Sequence, residues 1–167
     1  MQKIRLYRSV RLRALFLLLT VLLAGIIFYM SSETATESGE RSNSIVATVI
    51  RVFCPEFDSL SSAAQTELLA SGDHILRKCT HFATYALLGG LVCLSSLGFF
   101  ASPAVHLCRS LFLSALYAAS DEIHQSFVPG RGPAVTDVLL DSAGALCGIL
   151  FILLVAALLL KKQTKKS

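Results

Sequence analysis

Four apolar stretches recur along the chain, Ala14 to Met30, His81 to Ala101, Leu107 to Ile123 and Val135 to Leu160. Each is close to the ~20 residues with which an α-helix crosses ~30 Å of hydrocarbon. The pattern predicts an all-α, polytopic membrane protein, a four-helix transmembrane bundle with short extracytoplasmic amphipathic helices. Between the first two spans, Ser31 to Ser44 is rich in Ser, Thr and Glu and reads as a solvated loop. Ile45, Val46, Val49, Ile50 and Phe53 then repeat at helical spacing until Pro55, which predicts a short amphipathic helix on the outer surface. A second short helix is expected to start near Ser61 or Ser62 and stop at Gly72, with Asp73 capping the helix that becomes span two. Ser102 and Pro103 close that span. Pro129, Gly130, Gly132 and Pro133 break the chain between spans three and four and hold Arg131 in a tight turn.

Composition agrees with a bilayer as solvent, because 54% hydrophobic against 16% charged residues is too apolar for a soluble fold of 167 residues. Charge then sets an expected orientation. Lys3, Arg5, Arg8, Arg11 and Arg13 precede span one, Arg109 lies near the loop between spans two and three, and Lys161, Lys162, Lys165 and Lys166 follow span four. These regions share a side in an even-numbered weave, and every Asp and Glu falls on the other, so the positive-inside rule makes both termini cytoplasmic. Residues 1–13 form a basic cytoplasmic N-terminus, 14–160 one transmembrane domain and 161–167 a basic cytoplasmic tail. A signal peptide is disfavoured by Tyr29 and Met30, which suit no small-residue cleavage site, so the first span is expected to stay as an anchor. The net charge of +4 reflects flanks drawn to anionic lipid heads, and no nucleic-acid partner is assigned. The five cysteines form no CxxC pair; only Cys54 and Cys79 lie on the outer side, and nothing in their spacing requires a disulfide.

Ionisable residues inside the spans carry the candidate chemistry. His74, Lys78, His81 and Tyr85 share one stripe of span two; Tyr117, Asp121 and His124 share one of span three, with Glu122 and Gln125 on the adjoining face. Asp137, Asp141, Gly144 and Gly148 share one of span four, where the glycines permit close helix approach. In the four-span topology all three stripes lie at one level beneath the outer surface. Charges in hydrocarbon are costly and should face the bundle interior or a wet cavity. A structural reading is open for each: ion pairs that lock helices, tyrosines that anchor at the interface, and His74 and His106 as ordinary helix-end histidines. The density of Asp121, Glu122, His124, Gln125, Arg131, Asp137 and Asp141 points beyond locking, toward proton transfer or capture of an anionic group such as phosphate.

At these residues the chain resembles the VanZ-like family. The resemblance rests on Arg77-Lys78-x-x-His81-Phe82-x-x-Tyr85, on the run from Asp121 to Arg131, on Asp137-Val138-Leu139 with Asp141-x-x-Gly144, and on the Ser31-Ser32 pair; Glu33 stands where the family is expected to carry Gln. It implies a small polytopic membrane protein associated with low-level resistance to glycopeptide antibiotics, teicoplanin above all. Motif residues carried over are Lys78, His81, Tyr85, Asp121, Glu122, His124, Gln125, Arg131, Asp137 and Asp141, as a ligand-binding set without individual roles.

Two functions compete on these grounds. One is a non-enzymatic cell-envelope protein that binds a lipid-linked precursor or anionic head group in an outward-facing pocket. The other is an intramembrane enzyme on a lipid-linked cell-wall precursor or surface polymer, with His81 or His124 as base and Asp121 or Glu122 as partner acid. A transporter is a third class, since carboxylates suit proton relays, though four spans make a small pore. No HExxH or paired-histidine spacing occurs, so no metal or other cofactor is assigned. Membrane lipids are the expected surroundings, and the oligomeric state is left open.

Overall fold

The computed structural model describes residues 10–97 and 102–164. Lys3, Arg5, Arg8, Lys165, Lys166 and the inner end of the second apolar stretch lie outside them. Five helices follow one another: α1 (Val10–Ser31), α2 (Ala35–Phe53), α3 (Ser62–Ser96), α4 (Pro103–Gln125) and α5 (Val135–Thr164), with a 3-10 turn at Phe57–Ser59 before α3. Every regular element among the described residues is helical. α3 is the hub, packing most extensively on α5 and also on α1, α2 and α4, while α5 packs on α4.

Three helices are long and apolar enough to cross a membrane: α1, α3, and α5 as far as Leu159. α4 has the length of a span but a more polar composition, and the reason lies on its inner face. His106, Ser110, Ser114, Asp121, Glu122 and Gln125 are all buried within the bundle. These polar side chains are thus turned toward the other helices. α1 shows the opposite pattern, with Leu17, Val21, Leu22 and Phe28 all more than half exposed, as side chains facing lipid tails would be.

Two expectations fail in the segment between the first and second apolar stretches. The stretch from Ser31 to Ser44 is not a loop, because α2 already begins at Ala35. A capping box starts it: Thr34 Oγ1 accepts from the Glu37 amide at 3.3 Å, and the Glu37 carboxylate accepts from the Thr34 amide at 2.9 Å. The Thr-x-x-Glu spacing outweighs the polar composition that suggested a loop. Likewise no helix stops at Gly72, and Asp73 caps nothing; α3 runs unbroken for 35 residues, about 50 Å. Gly72 serves packing, since a Cβ there would meet the Val46 side chain of α2 at 2.5 Å. Asp73 joins the two helices, accepting from Ser42 of α2 and from Arg77 Nη2 at 2.8 Å. The far end of α2 is held by Arg51, whose guanidinium binds Asp58 at 2.9 Å and keeps that carboxyl below its ordinary range. Cys54 and Cys79 are both free.

The α3–α5 interface is built on missing side chains. A Cβ on Gly144 would collide with the Phe82 carbonyl, and one on Gly148 with the Ala86 carbonyl. The two backbones therefore touch, which places the polar stripe of α5 directly against that of α3. Gly148→Val should lower the thermal midpoint and membrane abundance through overpacking, a cost of ~1–3 kcal/mol or more where backbone cannot yield. Gly25→Val, at a position with nothing within 4 Å of an added Cβ, is the control and should change neither in a melting assay of detergent-purified protein.

Candidate polar site at the outer end of the bundle

The site begins one helical turn above the glycine seam. There His81 of α3 and Asp141 of α5 meet, with Nδ1 3.4 Å from Oδ2. One turn further out, Lys78 pairs with Asp137, repeating the α3–α5 match. One turn deeper, Tyr85 is almost wholly enclosed and its ring lies 6.3 Å from that of Tyr117 on α4. Asp121 completes the group from α4. Both the Asp121 and Asp141 carboxylates lie within electrostatic reach of the Tyr85 hydroxyl and the His81 ring. Asp121 is 3% exposed and Asp141 1%, so water cannot solvate either to any useful degree.

Hydrogen bonds settle only part of this cluster. Asp121 Oδ2 accepts from Gln125 Nε2 at 3.1 Å, and Gln125 Oε1 accepts from Arg131 Nη1 at 3.2 Å, so the cation is linked to the carboxylate through an amide. Arg131 also reaches the Met30 carbonyl of α1 at 3.5 Å. By contrast Tyr85 OH, Asp121 Oδ1 and Asp141 Oδ1 are buried and, among the described residues, make no hydrogen bond of good geometry, although the Tyr85 hydroxyl lies close to the Asp121 carboxylate. Such groups usually carry a cost of ~1–3 kcal/mol each, which makes three of them together the least expected feature of the bundle.

Two cavities flank His81. The larger, about 280 Å³, lies between α1, α2 and α3, with Ile27, Ile45 and Leu76 on its apolar walls and His81, Tyr85 and Arg131 among its polar ones. The smaller, about 110 Å³, is lined by Lys78, His81, Gln125, Arg131 and Asp137. Arg77 borders both, and Ser31, Ser42 and Thr84 border the larger.

Several sequence candidates are engaged elsewhere. His124 lies apart from His81: its ring stacks on Phe28 of α1 at 4.3 Å and its Nε2 is 3.0 Å from Ser32 Oγ. Its step along the helix carries it past the cluster to the α1 side. Glu122 Oε1 accepts from the Ala134 amide at 2.7 Å and so steadies the turn into α5. Tyr117 donates to the Ala24 carbonyl at 2.6 Å, and His74 is exposed. Arg77 and Ser31 escaped the sequence reading as site residues, although both stood in the motifs that carry the resemblance. Among the described residues, no three His, Cys, Asp or Glu side chains gather as metal ligands would.

The VanZ/LLP1 family model matches residues 16–157. No curated protein and no solved structure matches the chain.

The ion pair of Lys78 with Asp137 is open to a direct test. Lys78→Asp and Asp137→Lys should each lower the melting temperature, and the double swap should recover most of the loss. Both side chains are about a third exposed, so the coupling should be modest, ~0.5–1 kcal/mol. A double variant no more stable than the worse single would show that the pair holds nothing together.

Proposed function

Because the chain belongs to the VanZ/LLP1 family, we propose that it is a cell-envelope membrane protein that binds a lipid-linked or anionic envelope component in its outer pocket, and thereby supports low-level resistance to glycopeptides such as teicoplanin. The reading includes four spans with both termini cytoplasmic, which puts the pocket at head-group depth on the outer side. One observation carries it: Arg131 borders a cavity with His81 and Tyr85 on the same border and Ile27, Ile45 and Leu76 as apolar wall. Ion pairs that merely lock helices would be closed upon themselves. Here Arg131 faces a cavity and, among the described residues, is bonded only to neutral groups, the Gln125 amide and the Met30 carbonyl.

Arg131 supplies the charge for an anionic group, and its bond to Gln125 orients the guanidinium without consuming it. Ile27, Ile45 and Leu76 offer an apolar wall for an attached hydrocarbon chain. Lys78 is the second cation, but its pairing with Asp137 makes it a weaker contributor than Arg131.

A catalytic reading is favoured by one further observation. Asp141 holds His81 through Nδ1, which leaves Nε2 uncommitted on a ring that borders both cavities. That is how a carboxylate orients a general base. In this version His81 takes the proton and Arg131 steadies an oxyanion.

The two readings separate in one experiment with purified protein in nanodiscs and a polyprenyl diphosphate as probe. Arg131→Ala should weaken binding roughly tenfold or more, as expected for a lost charged hydrogen bond. His81→Ala and Asp141→Asn should leave binding within a few-fold if the protein is a binder. Turnover of a lipid-linked substrate that His81→Ala abolishes would replace binding by catalysis, and unchanged affinity in Arg131→Ala would remove the proposed pocket altogether. Teicoplanin susceptibility scored alongside membrane abundance links either result to the phenotype.

A further inference from the structure

At the opposite end of the bundle a cavity of about 480 Å³ opens between α1, α3 and α4, and no residue of the outer site borders it. Its position follows from chain direction. α1 and α4 begin at this end and α3 finishes there, so Arg13, Arg109 and Ser95 come together from three helices. Two guanidinium groups stand on its border, and Leu17, Val92 and Leu113 supply apolar wall.

Ser110 gives the cavity its meaning. Its side chain is fully buried and borders the cavity, yet among the described residues its Oγ makes no hydrogen bond of good geometry. The Cys93 thiol beside it is a weak donor and acceptor at best. Ser96 does not supply the missing bond, since its hydroxyl is held at 2.8 Å by the Cys93 carbonyl and at 3.1 Å by the His106 ring. A buried hydroxyl with no more than a weak thiol contact, two arginines at the rim and an apolar wall together describe an acceptor of negative charge attached to hydrocarbon.

We propose that this cavity is a second binding site, for the phosphate of an anionic phospholipid, with Arg13 and Arg109 on the phosphate, Ser110 donating to an oxygen of the bound lipid, and an acyl chain along Leu17 and Leu113. The assignment is independent of the outer pocket. Arginine suits the task because its planar fork meets two phosphate oxygens at once. The basic end of the bundle is also where surface charge would concentrate such lipids.

Native mass spectrometry of the detergent-purified full chain, titrated with phosphatidylglycerol, phosphatidylcholine or inorganic phosphate, tests it. Wild type should retain phosphatidylglycerol at least tenfold more strongly than phosphatidylcholine. Arg109→Gln should lose about tenfold, Ser110→Ala a few-fold, and Arg109→Lys should recover part of the loss. Arg11→Ala, an exposed cation on the same helix that does not border the cavity, should retain lipid like wild type. Melting temperatures measured without lipid guard against misfolded variants: Ser110→Ala, which removes one oxygen only, stands in should Arg109→Gln prove unstable. Equal retention by wild type and a stable Arg109→Gln overturns the proposal. So does displacement of the lipid by inorganic phosphate at equal concentration, because the site would then read the free anion and not a lipid.

Discussion

The polar pairs between α3 and α5 depend on two backbones touching. Gly144 and Gly148 of α5 have no Cβ to hold α3 away, and the carbonyls of Phe82 and Ala86 occupy the space that side chains would take. Close approach of this kind gains dispersion from many atoms where no hydrophobic effect operates between helices. It also fixes rotation and register. With Phe82 set against Gly144, His81 falls opposite Asp141, and one turn further out Lys78 falls opposite Asp137. A slip by one residue would leave each ionisable group facing a neighbour's hydrocarbon, so the glycine seam specifies the electrostatics as well as the packing.

That seam explains why charges survive at such low exposure, and it also limits what they satisfy among themselves. The α3–α5 pairs use one oxygen of Asp141, and the Arg131–Gln125 relay uses one of Asp121. The second oxygen of each remains, together with the Tyr85 hydroxyl. A cluster selected only for stability would be closed by one more serine or by replacement of an acid with its amide. Retaining two half-satisfied carboxylates around an enclosed phenol is a standing cost.

Most of the helical frame was legible because a bilayer imposes its own period and length on a sequence. The stripe on α3 at Lys78, His81 and Tyr85, the acids of α5 and the packing role of Gly144 all follow from three- and four-residue spacing. What misled was the segment between the first two apolar stretches. Gly72 and the Ser/Thr/Glu run after Ser32 resemble punctuation, yet Thr34 with Glu37 starts a helix and Gly72 admits Val46 within one. The choice between stop and close approach depends on a partner helix that local sequence does not contain. His124 shows the same limit at the site: periodicity aligned it with Asp121, but a helix bordered by two neighbours has two useful faces, and Phe28 claims one of them.

α1 forms a wall of both large cavities, yet its most apolar stretch is only 11% buried. Each chamber is thus separated from the lipid tails by a partition one helix thick. For the alkyl-bearing ligands we propose, that thin partition leaves a sideways route, along one leaflet and past α1 with the chain in oil throughout. On that proposal the bilayer would be the reservoir, and the number of copies dissolved in that leaflet, more than any concentration in water, would decide how often a chamber is filled.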